Sequence, residues 1–160
     1  MLSNMDADQI LAIFRALMAE RVRYKVVGGV ALNLHGLVRG TEDLDLFVDP
    51  TADNVERLKA ALRSVYDDPH IDEISAGDLA GEFPAIQYVP PEGGFSIDLL
   101  SRLGTAFDYD AIEAADQIVE GITIPVATPQ MLYRMKKDTV RPQDRADAER
   151  LRLQFNLKED

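Results

Sequence analysis

One six-residue stretch, DLDLFV at residues 43–48, constrains the fold more than any other part of the sequence. Its apolar residues alternate with two acids, which predicts a β-strand with one face in a core. Asp43 and Asp45 then project from the same face, where their charges repel each other. A divalent cation would offset this repulsion, and hard ions such as Mg²⁺ prefer carboxylate oxygens. A solvated strand face is the alternative, and it is the commoner reason for an isolated Asp-x-Asp.

A pair of glycines stands upstream of this strand. Residues 24–27 predict a short strand that runs into Gly28 and Gly29, and thirteen residues separate Gly29 from Asp43. A strand, two glycines and a short helix over 30–35 make a phosphate site, because glycine permits close backbone approach and a helix N-terminus offers free N–H groups. A tight turn is the alternative explanation.

A third acid lies in the apolar run FSIDLL at residues 95–100. The apolar neighbours of Asp98 share the opposite face, so the run predicts a strand that carries one acidic side chain. If this strand pairs beside the first one, Asp98 lies next to Asp43 and Asp45. The alternative is an exposed acid on an edge strand.

Hydrophobic periodicity and turn residues divide the rest of the chain. Helices are expected at 6–21, from 51 onward, and at 108–116, 128–139 and 142–155. Two strands, at 85–89 and 95–100, flank a predicted hairpin turn, and residues 118–127 predict a strand or a short hairpin broken at Gly121. This order predicts an α/β or α+β fold with a small β-sheet and flanking helices. We expect one domain over residues 1–160, with a core at about 22–127 and a C-terminal helical part at about 128–157.

The composition excludes several classes of site. There are no cysteines and two histidines, which removes disulfides, thiolate zinc sites and cysteine nucleophiles. The formal net charge of −11 weighs against broad, sequence-independent binding of nucleic acid. No basic stretch precedes an apolar run at the N-terminus, and no apolar run approaches the length of a transmembrane helix. We therefore expect a cytoplasmic protein with no membrane partner.

Together, these motifs resemble a known signature. Gly28-Gly29, followed by two acids that flank one apolar residue and by a later acid on a strand, resembles the DNA polymerase beta-like nucleotidyltransferase superfamily. The longer run GGVALNLHGLVRGTEDLDLFV is similar to its abortive-infection toxin (AbiEii-type) branch, and so is the C-terminal run LYRMKKDTVRPQDRADAERL. Many members of the superfamily have Ser where this chain has Gly29.

The resemblance implies a minimal nucleotidyltransferase fold with a small mixed sheet. It also implies an enzyme that moves a nucleoside monophosphate from an NTP, such as ATP, to an acceptor hydroxyl. Asp43 and Asp45 would then bind metal and the triphosphate, and Asp98 would bind the catalytic metal and help to deprotonate the acceptor. All three acids are thus candidate catalytic residues. Two ions, Mg²⁺ or Mn²⁺, are expected.

Cations should neutralise the phosphates in such a site. The expected nucleotide-binding residues are the two glycines above together with Arg39, Lys136 and Arg141. Lys136 and Lys137 diverge by about 100° on a helix, so only one of them faces the site. The expected partners of Asp144 and Asp147 are basic neighbours: Arg145, Arg150 or Lys137.

The acceptor is left open by the residues themselves. One interpretation is transfer to RNA such as tRNA, by a toxin that an antitoxin restrains. The second is transfer to a small molecule such as an antibiotic, for which the short chain favours a homodimer. The third is a nucleotide-binding or interaction module that has lost turnover, and the presence of all three acids weighs against it.

Overall fold

The computed structural model describes residues 7–38, 40–81, 85–91, 95–137, 139 and 141–158. Within these residues the helices are α1 (Ala7–Ala19), α2 (Gly28–Leu34), α3 (Ala52–Val65), α4 (Ala76–Ala80), α5 (Pro129–Lys136) and α6 (Pro142–Phe155), with a 3₁₀ turn at Pro69–Glu73. The strands are β1 (Tyr24–Val27), β2 (Asp43–Val48), β3 (Ala85–Tyr88), β4 (Ser96–Leu100), β5 (Arg102–Leu103), β6 (Phe107–Asp108), β7 (Ala114–Val119) and β8 (Ile122–Ala127).

Six of these strands form one mixed sheet in the order β3-β4-β2-β1-β8-β7. The pairs β2–β4 and β1–β8 are parallel, and the other three pairs are antiparallel. Strands β5 and β6 form a separate two-stranded sheet. Helix α1 packs against α3 and β8, helix α2 packs against β1 and β2, and α5 packs against α6. The predicted mixed sheet with flanking helices is confirmed.

Strand β2 belongs to the apolar core along most of its length and carries the acidic residues at its start. Leu44 and Leu46 are fully buried on one face, as the alternation predicts. On the other face Asp43 is exposed and Asp45 half-buried, but Phe47 is also fully buried. Both faces of the strand are therefore covered beyond Asp45, and the acids occupy the end where one face opens.

The predicted helix at 108–116 is wrong. Asp108 ends β6, and its carboxylate accepts a hydrogen bond from the Ala111 backbone N–H at 3.0 Å, which closes a turn. Strand β7 then begins at Ala114, paired with Ala127 of β8. Pairing with β8, the next strand in the chain, overrides the weak helical propensity of this segment, because the strand pairing satisfies its backbone groups across the sheet.

Local signals elsewhere are confirmed. Glu120 and Gly121 both have positive φ, which is the two-residue hairpin turn that matches the twist of β7 and β8. The Thr128 side chain accepts a hydrogen bond from Met131 N–H at 3.2 Å, and Pro129 occupies the first turn of α5. Among the described helices, none combines the length and the apolar character needed to cross a bilayer.

Candidate active site

Three carboxylates converge where β2 and β4 run side by side. The parallel register places Asp45 opposite Asp98 and Asp43 opposite Ser96. One oxygen from each of Asp43, Asp45 and Asp98 lies within 4.8 Å of the others. The expected convergence of the three acids is confirmed, and this spacing suits a shared divalent cation, whose oxygen ligands crowd around one centre.

The electrostatics of the three carboxylates also favour binding of a cation. Burial, together with the nearby Asp98 and Asp43 carboxylates, raises the pKa of Asp45 to about 7, against a smaller opposing effect of Lys136. Burial and the charge of Asp43 also raise the pKa of Asp98. Full ionisation of the metal-free cluster is therefore unfavourable near neutral pH. A divalent cation would offset the mutual repulsion of the carboxylates.

Gly28 gives Asp45 the room it occupies. Its φ is +70°, and a Cβ added there would lie 2.1 Å from Asp45 Oδ2. Glycine is therefore required at this position by the backbone conformation and by the carboxylate. Gly29 follows in the first turn of α2 and is buried. Both glycines line the same cleft as Asp43 and Asp45.

The opposite wall of the cleft comes from α5 and α6. The Lys136 ammonium donates to Asp144 Oδ1 at 3.1 Å and to Asp147 Oδ2 at 3.4 Å, and its side chain is 12% exposed. Lys136 lines the cleft, whereas Lys137 reaches over the Tyr133 ring, 5.8 Å from its centroid. The expected divergence of the two lysines is thus observed. The sequence predicted other basic partners for Asp144 and Asp147. It could not show how α5 docks on α6, which brings Lys136 to both acids.

The cleft has a volume of about 340 Å³. Thr41, Glu42, Gln143 and Asp144 also line it, in addition to the residues expected from the sequence. Arg141, at the start of α6, lines the mouth with a side chain that is 70% exposed and lies 3.7 Å from Asp144. Arg39, the other expected cation, lies outside the described residues.

Two polar residues of the site escaped the sequence analysis. Ser96 Oγ donates to Asp43 Oδ1 at 2.6 Å and lies 3.4 Å from Asp98 Oδ1. Gln87 Nε2 in turn donates to Ser96 Oγ at 3.3 Å. The spacing of Ser96 and Asp98 was available as a signal, since residues two apart on a strand share a face. The position of Gln87 depends on the pairing of β3 with β4.

The chain matches a known family over most of its length. Residues 10–152 match the family described as the nucleotidyl transferase AbiEii toxin of type IV toxin–antitoxin systems. The chain belongs to this family. It is therefore a nucleotidyltransferase enzyme of a toxin family. No curated protein sequence matches the chain.

Solved structures support the same fold. The AbiEii family member resembles ANT(2'')-Ia in complex with adenylyl-2''-tobramycin, with a TM-score of 0.57 and 14% identity over 94% of this chain and 88% of the other. It also resembles a nucleotidyltransferase-type protein from Thermotoga maritima, with a TM-score of 0.52 and 16% identity over 96% of this chain and 97% of the other. For a nucleotidyltransferase-like antigen from Paracoccidioides brasiliensis, the TM-score is 0.51 and the identity 15%, over 92% of this chain and 77% of the other. The fold is that of the polymerase beta-like nucleotidyltransferases.

Proposed function

We propose that this enzyme transfers a nucleoside monophosphate from an NTP to a hydroxyl of an RNA such as tRNA, and that it acts as a toxin. The observation that carries the proposal is the convergence of Asp43, Asp45 and Asp98 within 4.8 Å, where Asp43 and Asp45 line a cleft. Membership of the AbiEii family supports nucleotidyl transfer as the reaction and a toxin–antitoxin system as the setting. An antitoxin that restrains the activity is the corresponding partner.

The three acids would hold two divalent cations, Mg²⁺ or Mn²⁺. When bound, these ions supply charge neutralisation for the triphosphate and for the attacking and leaving oxygens. The residues fit hard cations because all three ligands are carboxylates, and because burial, together with the neighbouring Asp98 and Asp43, raises the pKa of Asp45 to about 7.

Asp98 is the candidate base for the acceptor hydroxyl. Burial and the neighbouring Asp43 raise the pKa of its carboxyl, which moves it toward the range in which a base is effective near neutral pH. Asp43 and Asp45 lie together on β2, next to the glycine turn, and would bind the metal that carries the triphosphate. This division assigns nucleotide binding to β2 and acceptor activation to β4.

The phosphates would lie between the glycine turn and the helical wall. Gly28 and Gly29 permit close approach of the backbone on one side. On the other side Asp144 and Asp147 hold the Lys136 ammonium in the wall of the cleft, where it would face a phosphate. Arg141 is far more exposed and would close on the triphosphate from the mouth.

A small-molecule hydroxyl is the second candidate acceptor. ANT(2'')-Ia, which shares the fold, was solved with an adenylylated tobramycin. At 14% identity this likeness concerns the fold, so it does not choose the acceptor. The net charge of −11 weighs against RNA as a general ligand, whereas Lys136 and Arg141 in the lining of the cleft would provide local positive charge for a phosphodiester.

The decisive experiment supplies each α-labelled NTP with Mg²⁺ and either total RNA or a panel of aminoglycosides. We expect label in the RNA fraction, Mg²⁺ dependence, and no label with Asp98→Ala. Label on an aminoglycoside alone would establish the second acceptor class. Absence of label on any acceptor, with NTP binding retained, would support a binding module and contradict the proposal.

A further inference from the structure

Five polar side chains share one face of three adjacent strands. Strand β2 contributes Asp43 and Asp45, strand β4 contributes Ser96 and Asp98, and β3 contributes Gln87. The register places Ser96 opposite Asp43 and Gln87 opposite Asp98. Ser96 is only 7% exposed, so its hydroxyl is held among these groups rather than by bulk water.

The donors and acceptors determine where the serine proton points. The amide nitrogen of Gln87 can only donate, so Ser96 Oγ accepts from it, at 3.3 Å. The single proton of Ser96 is then committed to the carboxylates, with Asp43 Oδ1 at 2.6 Å and Asp98 Oδ1 at 3.4 Å. A short hydrogen bond to an ionised carboxylate is among the stronger ones in proteins.

This bond opposes the repulsion within the cluster. Asp43 is exposed, so without a partner its carboxylate could turn into solvent and away from Asp98. We propose that Ser96, oriented by Gln87, is a positioning residue that holds the Asp43 carboxylate near Asp98, so that both can bind one Mg²⁺. This inference rests on the proposed function, because it concerns the metal-binding acids of the same site.

The size of the ion gives the inference a specific signature. Mg²⁺ demands near-ideal octahedral geometry at about 2.0–2.1 Å, whereas Ca²⁺ accepts irregular geometry at about 2.3–2.6 Å. Loss of the Ser96 hydroxyl removes none of the ligand carboxylates, but the Asp43 carboxylate loses the hydrogen bond that fixes its position. The affinity for Mg²⁺ should therefore fall more than the affinity for Ca²⁺, which a general loss of structure would not produce.

The test measures binding of the metals alone to the full chain. Free Mn²⁺ is followed by its electron paramagnetic resonance signal, and Mg²⁺ or Ca²⁺ is then used to displace bound Mn²⁺. For Ser96→Ala we expect roughly tenfold weaker Mg²⁺ binding, the lower end of the usual effect for residues that orient metal ligands, with Ca²⁺ changed by no more than about twofold. Ser96→Thr keeps the hydroxyl and should restore Mg²⁺ binding to within about threefold.

Two further variants sharpen the result. Gln87→Met removes the amide at nearly constant size and should weaken Mg²⁺ binding in the same direction but less, since Ser96 keeps its proton. Ser101→Ala is the matched control, because Ser101 is equally buried just beyond β4 and donates to the Leu79 carbonyl. It should leave the affinities for both ions unchanged.

Wild-type Mg²⁺ affinity in Ser96→Ala would overturn the inference, and so would an equal loss of Mg²⁺ and Ca²⁺ or a failure of Ser96→Thr to recover. Each of those outcomes leaves the proposed function standing, because the wild-type chain still binds metal. If the wild-type chain binds neither Mn²⁺ nor Mg²⁺, the proposed function itself fails, and this inference fails with it.

Discussion

The Asp45 carboxylate fills the space that a side chain at Gly28 would need, since a Cβ there would lie 2.1 Å from Asp45 Oδ2. The glycine turn and the acidic strand are therefore one structural unit. Glycine at this position therefore makes room for Asp45, a candidate metal ligand, and not only for the approach of a phosphate.

Gly28→Ala should displace Asp45 and weaken Mg²⁺ binding by at least about tenfold, the scale of losing support for a metal ligand. The strained backbone should also cost roughly 1–2 kcal/mol of folding free energy. Gly121→Ala is the matched control, because Gly121 has a φ of +78° and an added Cβ meets nothing within 4 Å. Its unfolding free energy should fall similarly while Mg²⁺ affinity is kept. Equal Mg²⁺ affinity in both variants would refute the steric argument.

The stability of the metal-free protein should depend on Asp45 and on pH. Burial and the nearby acids raise its folded pKa to about 7, above the unfolded value of about 3.9. Protonated Asp45 thus stabilises the fold below about pH 4, and this contribution is lost as the pH rises through about 7. In EDTA at pH 8, Asp45→Asn should therefore melt at a higher temperature than the wild type.

Thermal unfolding from pH 4 to pH 8 tests this directly. The advantage of Asp45→Asn should shrink below pH 7 and vanish near pH 4. Added Mg²⁺ should give the wild type the higher Tm at pH 8. The ion binds and stabilises the wild type, whereas Asp45→Asn lacks one charged ligand for it. A difference in Tm that is constant across this range would show that Asp45 ionises freely in the folded chain.

Asp98→Ala should separate catalysis from binding. If Asp98 activates the acceptor, its contribution is made mainly in the transition state, so turnover suffers more than nucleotide affinity. We expect NTP binding by calorimetry to stay within roughly tenfold, and transfer of labelled NMP to fall by at least about a hundredfold. Asp116→Ala, at an exposed acid on β7, should transfer at the wild-type rate. Near-normal transfer by Asp98→Ala would remove Asp98 from the mechanism.

Lys136 should affect both stability and nucleotide binding. Its removal takes away the ammonium that two carboxylates share, and these are only 13% exposed at Asp144 and 5% at Asp147. Lys136→Met should therefore cost about 3 kcal/mol in denaturant unfolding, the usual scale for breaking a buried ion pair, and should also weaken NTP binding. Lys137→Met, on the neighbouring side chain over Tyr133, should change neither strongly.

A combined variant separates the two effects of Lys136. Adding Asp144→Asn and Asp147→Asn to Lys136→Met removes the two carboxylate charges that have lost the ammonium, so the unfolding free energy should recover. NTP binding should stay weak, because the Lys136 ammonium is still missing and Arg141 is the one remaining cation among the described residues that line the cleft. Recovery of both properties would mean that Lys136 acts only through the fold.

Several features of this protein follow from the sequence alone. The alternation in DLDLFV predicted β2 and the shared face of Asp43 and Asp45, and Thr128 with Pro129 predicted the start of α5. Gly121 marked the hairpin between β7 and β8. These features can be predicted from the sequence because they depend on side-chain direction, capping and backbone freedom within a few residues.

Tertiary structure decided the rest. The approach of Asp98 to Asp45 requires the strand order β3-β4-β2, and the contacts of Ser96 and Gln87 require its register. The choice of Lys136 as the partner of Asp144 requires α5 to dock on α6. Periodicity shows which face of an element is buried but not which distant element will cover it, because that depends on packing summed over the whole core. The addition of the β7–β8 hairpin to the sheet beside β1 likewise turned residues 114–116 from an expected helix into the first part of β7.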